Sequence, residues 1–373
     1  MDPHAVHSLF PGLESLSYLN TANQALGSRP VAEAYAEAVT RWTAGAFDWI
    51  EAERAGEAAR ARFAALVGGD VEEIAIVPAL STAAGIVAAN LPDAAFGENV
   101  VVGEGEFSSN YYPWIQLRER GYQVRTVPTP EGVADTDVFA AATDRGTRLI
   151  AVSAVHSATG FRADLARFAE IAARHHAWLF VDAAQAAGAI PLDVHALGID
   201  FLAAPSHKYL LGARGMGYLY IRRDRLAGMR PVFPGWKAAR APLEGFYGPA
   251  MDLSPTASRF DTSLPWFAAL ADHAALGIFE TFGTAPLLAR TAELSAHLHA
   301  ALARHCPSYR PHGEGARSQI ASIPVRDPEA VVARLRREHV VTAVRAGRVR
   351  LSVNFYNTEA EVERAAELIG AGH

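Results

Sequence analysis

An acid and an amine in the stretch 179–222 stand where a ligand-binding cleft would use them. Leu179, Phe180 and Val181 make an apolar run typical of a buried parallel strand, and the run ends on Asp182. A second buried-strand pattern over 201–205 leads into Ser206, His207 and Lys208. Open α/β sheets bind ligands outside the carboxyl ends of their strands, so Asp182 and Lys208 can converge on one molecule. A lysine amine forms Schiff bases with carbonyls, and a carboxylate keeps a ring nitrogen protonated. Gly212, Gly215 and Gly217 would let the chain turn tightly after the lysine and return as a strand over 218–221. Each residue alone has a plainer reading, Asp182 as a strand-end turn residue and Lys208 as a solvated charge. The ordered pair points to chemistry.

Pyridoxal phosphate is the cofactor that needs such a pair. From about Tyr18 to the C-terminus, and most specifically in the block from Asp182-Ala-Ala-Gln185 to Ser206-His207-Lys208, the chain resembles the class V aminotransferase family of fold-type I pyridoxal-phosphate enzymes. That family includes cysteine desulfurases, kynureninases, isopenicillin epimerases and several C–S lyases. The resemblance implies that Lys208 carries the cofactor, Asp182 faces its ring nitrogen, Gln185 donates to its phenolic oxygen, and Ser206 and His207 reach its phosphate. Ser81 and Thr82, between the apolar run 74–77 and the helical pattern 83–91, would present a helix N-terminus to the same phosphate; read without the resemblance they are a plain N-cap. Phe107 occupies the position where related enzymes stack an aromatic ring on the cofactor, the alternative being a core phenylalanine. Ser157 matches a position that contacts substrate or cofactor in relatives, and residues 18–24 resemble the entrance segment that closes over the substrate, with Asn23 as a substrate contact. Arg350, in a segment over 349–358 similar to the family's carboxylate-binding strand, would take the α-carboxylate of an amino acid in its planar fork.

The departures from the pattern narrow the reaction. Cysteine desulfurases carry a sulfur-accepting cysteine on a loop before the carboxylate-binding arginine, but here Val344-Arg345-Ala346-Gly347 passes almost directly into Arg348-Val349-Arg350. The single cysteine, Cys306, lies elsewhere, cannot form an internal disulfide, and reads as a small apolar residue. Phe107 stands where many desulfurases have a histidine, so proton movement falls to Lys208 or another group. Leu264 replaces a threonine that in many relatives reaches the partner subunit's phosphate, so that either Thr262 or Ser263 substitutes or the chain does without this bond. Trp236 would line the substrate pocket or anchor a dimer interface.

The elements that must position these residues follow from the patterning. Half of the 373 residues are apolar, enough for a large core. Short apolar strands alternate with alanine-rich amphipathic helices over 70–225, as a mostly parallel sheet requires. The patterning makes the expected architecture α/β, and the resemblance implies fold-type I. An N-terminal arm (1–16) precedes a large cofactor domain on a mostly parallel seven-stranded sheet (17–255), and a smaller C-terminal α+β domain (256–373) follows, opening on a long helical stretch over 267–305. The net charge of −6 offers no basic face for nucleic acid. No leader pattern or membrane-length apolar run is seen, so a soluble cytoplasmic protein is expected. The 14 histidines show no HExxH spacing, and no metal site is expected. The reading is C–S bond cleavage by β-elimination from a cysteine S-conjugate, in thiol-conjugate metabolism or lincosamide-like antibiotic biosynthesis, and the resemblance implies a homodimer. Decarboxylation-coupled deamination, transamination or epimerisation would use the same residues, and a non-catalytic binding protein would keep only the fold.

Overall fold

The computed structural model describes residues 3–371 apart from positions 245, 249 and 250; the first two residues of the expected arm and those three within the expected large domain lie outside the described residues. After a two-residue strand β1 (Ser17–Tyr18), the short apolar runs become β2 (Ile74–Val77), β3 (Asn99–Gly103), β4 (Gln123–Val127), β5 (Thr147–Ser153), β6 (Trp178–Asp182), β7 (Phe201–Pro205) and β8 (Gly217–Ile221). Strands β2 to β8 form one seven-stranded sheet in the order β2-β8-β7-β6-β5-β3-β4. Strand β8 is antiparallel to both neighbours, and all other pairs are parallel. Helices cover both faces, which is why these strands are apolar without alternation. Successive side chains still go to opposite sides: Leu179 and Val181 enter one core, and Phe180 enters the other.

A second, smaller sheet comprises β9 (Ile320–Ile323), β11 (Ala343–Arg345) and β12 (Arg348–Ser352), antiparallel in the order β11-β12-β9. Its own core includes Leu294, Leu298, Leu351 and Val362. Strand β10 (Val340–Val341) pairs in parallel with β1, and Asn20 bridges to Ser352, so the segment entering the large domain is stitched to the small one.

The boundary between the two cores differs from the expected one. The helical stretch over 267–305 breaks at Gly283, where φ is +83°, into helices Trp266–Phe282 and Thr284–His305. The first buries Ala271, Ala275, Leu276 and Phe279 in the large-domain core. Packing therefore assigns it to the large domain, together with Leu287 in the first turn of the next helix, and the change of core falls between Leu287 and Leu294 rather than at 256. The arm lays Phe10 across Phe355 and Tyr356, with ring centroids 6.4 and 4.4 Å away. Among the described residues, no helix is long and apolar enough to cross a membrane.

Candidate active site

The carboxyl ends of β3, β5, β6 and β7 and the start of helix Leu80–Ala89 surround a cavity of about 650 Å³. Asn23, Phe107, Ser157, Asp182, Gln185, His207, Lys208 and Arg350 all line it. The strand-end rule thus brings together residues that are far apart in sequence.

Asp182 closes β6 in register with Ser153 of β5. Its Oδ1 accepts a hydrogen bond from the Ala184 N–H at 2.8 Å. Burial pushes the acid up to about 7, and the Glu106 carboxylate adds to this, while the Ala184 bond and the Lys208 charge oppose it. A protonated ring nitrogen set against Asp182 would return it to the ionised form. Lys208 follows β7. Burial brings its amine down to about 8, with Arg350, Arg214 and Arg345 pushing the same way and Asp182 opposing. An amine partly unprotonated near neutral pH is a competent nucleophile and base. Its Nζ lies 5.8 Å from the Phe107 ring centroid. His207 is held neutral, its ring brought down to about 4 by burial and then by the charges of Lys208 and Arg214.

The loop that carries Lys208 is built to one shape. The Ser206 N–H donates to the Met216 carbonyl and the Gly212 N–H to the Ser206 carbonyl, each at 3.0 Å. Asp272, on helix Trp266–Phe282, accepts from the Ser206 hydroxyl at 2.5 Å, the Ala213 N–H at 3.0 Å and the Tyr218 hydroxyl at 3.0 Å. Gly212 has no room for a side chain, since a Cβ there would lie 1.9 Å from Ser206 Oγ and 2.1 Å from Asp272 Oδ1. Ser206 is fully buried behind the cavity wall. This corrects its reading as a phosphate ligand, because its hydroxyl is committed to Asp272.

Arg350 is 2% exposed, and its Nη1 donates to the Ser157 carbonyl at 2.7 Å. Its Nε and Nη2 are buried without a partner. Burial, then the neighbouring Arg345, lowers it to about 10, still protonated at neutral pH. A buried cation with unpartnered donors on the cavity wall is an anion receptor, and its fork matches a carboxylate. Ser157 contributes its carbonyl as the brace for that arginine. Gln185 Nε2 donates to the Ala22 carbonyl at 2.9 Å while Oε1 is buried without a partner. The Ala25 N–H donates to the His207 carbonyl at 2.9 Å, so the stretch after β1 is fixed against the lysine loop.

Ser81 and Thr82 lie in the first turn of helix Leu80–Ala89, whose N-cap, Ala79, offers no side-chain cap. The Thr82 and Ala83 N–H groups donate to the Ala79 carbonyl, each at 3.1 Å, which leaves the Leu80 and Ser81 N–H groups for an anion; Pro78, Ala79 and Leu80 form that wall of the cavity, and neither Ser81 nor Thr82 lines it. Thr262 and Ser263 line a separate cavity of about 200 Å³ that shares Pro78 and Gly215 with the main one. Trp236 does not line the main cavity. Its indole N–H donates to Ser263 Oγ at 3.0 Å, and its ring packs edge-on to Trp49 with centroids 6.1 Å apart, which corrects its reading as a pocket residue. Cys306 is buried in the small-domain core, its Sγ 3.7 Å from the Ala366 carbonyl.

Three residues escape the sequence reading. Arg345 lines the cavity and donates to Asn23 Oδ1 at 2.8 Å, and Arg214 lines it too. Asp272 reaches the lysine loop from behind. Arg345 and Arg214 stand inside the very motifs that mark the site, whereas nothing in a helical pattern signals that Asp272 points at a loop.

Residues 18–365 match the family model Aminotransferase class-V. The chain belongs to the class-V aminotransferase family. The uncharacterized aminotransferase YcbU of Bacillus subtilis (strain 168) is 30% identical over 380 residues, covering 99% of this chain and 98% of that protein. A probable cysteine desulfurase of Methanothermobacter thermautotrophicus (strain Delta H) is 36% identical over 231 residues, 60% of this chain and 58% of that one. A solved structure of a C-DES mutant with glycine covalently linked to the PLP cofactor superposes with a TM-score of 0.87 at 22% identity, covering 98% of both chains. A second C-DES structure, the cystine C–S lyase with its product cysteine persulfide, gives 0.86 at 22% identity, covering 97% of this chain and 99% of that one. The fold is fold-type I, and pyridoxal 5'-phosphate is the cofactor of this class-V enzyme. The donor set fits it. An uncapped helix start, an acid at a strand end and an amine beside an aromatic ring all border one cavity.

Proposed function

We propose that this enzyme cleaves the C–S bond of a cysteine S-conjugate by β-elimination. The balanced reaction takes the conjugate and water to a free thiol, pyruvate and ammonia. Bound pyridoxal phosphate supplies the sink for the electron pair left when the α-proton departs. Lys208 Nζ takes that proton, Asp182 holds the ring nitrogen charged, and Arg350 fixes the carboxylate so that the Cα–H bond faces the lysine. Phe107 carries no proton, so this work falls to Lys208.

The observation that carries the reading is the β11–β12 hairpin. It closes through Ala346 and Gly347, with φ of +48° and +68°, a two-residue turn with no loop on which a sulfur-accepting cysteine could ride into the cavity. Cys306, the chain's only cysteine, is buried in another core. With no persulfide acceptor on the chain, release of the sulfur as a thiol is the favoured outcome. The cystine C–S lyase activity of C-DES supports this direction. Lys208, Asp182 and Arg350 would also serve transamination, the reading favoured by the name of YcbU, and epimerisation or decarboxylation-coupled deamination would draw on them too.

The reading extends to a cytoplasmic homodimer acting in thiol-conjugate metabolism or antibiotic biosynthesis of the lincosamide kind. The exposed Phe233, Tyr247 and Met251, at 66, 97 and 71%, support an interface on the segment that carries them. Incubating the holoenzyme with S-alkyl cysteines and quantifying pyruvate and thiol tests the reaction. Equal yields support elimination, and a sulfur-retaining keto acid or aldehyde shifts the assignment to transamination or decarboxylative deamination.

A further inference from the structure

A phosphate dianion needs a cation or several N–H donors, and the cavity wall that faces the start of helix Leu80–Ala89 holds fewer than expected. Ser206 is turned away to Asp272, and His207 is neutral. Of the cationic side chains lining the main cavity, Lys208 is the reacting amine, Arg350 is braced on the Ser157 carbonyl, and Arg345 on Asn23. Arg214 is different. Among the described residues it has no hydrogen bond or ion pair, yet it lines the cavity with Pro78, Ala79 and Leu80, and its charge is felt at both His207 and Lys208.

Its backbone is also held. The preceding Ala213 N–H donates to buried Asp272 at 3.0 Å, and the following Gly215 has φ +100°, a conformation that glycine adopts without strain. Gly215 and Pro78 together border both cavities, which places residue 214 beside the turn that leads into the uncapped helix. We propose that Arg214 is the cation that binds the cofactor's phosphate, acting together with the free N–H groups at the start of helix Leu80–Ala89. A guanidinium suits this task because its paired N–H donors match phosphate oxygens.

The test compares pyridoxal phosphate with pyridoxal, which lacks the phosphate. Cofactor-free wild type, Arg214→Ala and Arg214→Lys are titrated with each, following the near-visible absorbance of the lysine-bound form. Loss of a charge-assisted contact is expected to weaken pyridoxal phosphate about 10- to 100-fold in Arg214→Ala and to leave pyridoxal within about 2-fold, with Arg214→Lys in between. Inorganic phosphate is expected to compete with pyridoxal phosphate in the wild type and to lose that competition in Arg214→Ala. Arg214 is exposed on a loop, so the variants should fold, and far-UV circular dichroism verifies it. An unchanged preference for pyridoxal phosphate over pyridoxal in Arg214→Ala overturns the proposal while leaving the cofactor assignment intact. Failure of the wild type to bind either form would overturn both.

Discussion

The Ser157 carbonyl holds Arg350 Nη1 at 2.7 Å and leaves Nε and Nη2 buried and unpartnered. One end of the guanidinium is thus anchored, and the rest is offered to the cavity. This arrangement is costly without a ligand, because buried donors lose water and gain nothing in return. A substrate carboxylate supplies what is missing.

Arg350→Lys keeps the charge and removes the fork. KM for an amino-acid substrate is expected to rise about 10- to 100-fold, the worth of a charge-assisted contact, while the absorbance of bound cofactor stays as in wild type. Steady-state kinetics beside a cofactor titration checks this, and parallel loss of cofactor would show instead that Arg350 supports the pocket as a whole.

Gly212→Ala forces a methyl into the space held by Ser206 Oγ and Asp272 Oδ1. Overpacking of this kind costs about 1–3 kcal/mol, and here it also displaces the loop of Lys208. Thermal denaturation should show a lowered midpoint together with weakened cofactor binding. A variant as stable as wild type would mean that the loop accommodates the methyl group without strain.

Asp182 should destabilise the cofactor-free protein at neutral and higher pH. Unfolded, an aspartate titrates near ~4; in the fold, burial raises it to about 7. Between those values the native state keeps a proton that the unfolded state has released. The contribution of Asp182 to stability is therefore full below pH ~4 and is lost as pH rises through 7. Cofactor-free Asp182→Asn is expected to be more stable than wild type at pH 8, with the gap closing towards pH 4. Denaturant titrations at both pH values give the answer, and a gap that widens on acidification would reverse the assignment.

Cys306→Ala removes only the sulfur atom from a packed small-domain core. A loss of about 1 kcal/mol in stability and turnover within about 2-fold of wild type are expected. Abolished turnover would overturn the reading of Cys306 as a packing residue.

Most of the site is legible in the sequence because strand-end chemistry is local. Asp182 and Lys208 are each marked by an apolar run just before them, and the topology of parallel strands brings such ends together. Arg350 and Phe107 follow from motif position. What the sequence hides depends on packing between segments remote along the chain. Ser206 sits inside the motif but is captured by Asp272, on a helix whose apolar pattern hides its one inward acid. Trp236 is drawn towards Trp49 and Ser263 and away from the cavity. Gly283 breaks the helical stretch, and the change of core falls beyond it, with Leu287 in the large-domain core and Leu294 in the small one. Arg214 and Arg345 stand in plain view, but as charges among glycines and turn residues they read as solvated side chains, and only the folded cavity wall gives them a role.

The most direct test of the central claim is a single absorbance experiment on the purified holoenzyme, with Lys208→Ala as the control and an S-alkyl cysteine as substrate. The account requires a near-visible band in the wild type that is absent from Lys208→Ala, followed on substrate addition by pyruvate and thiol in equal amounts. A band with neither product would contradict the lyase reading, and a wild type without any band would contradict the cofactor chemistry on which the whole account stands.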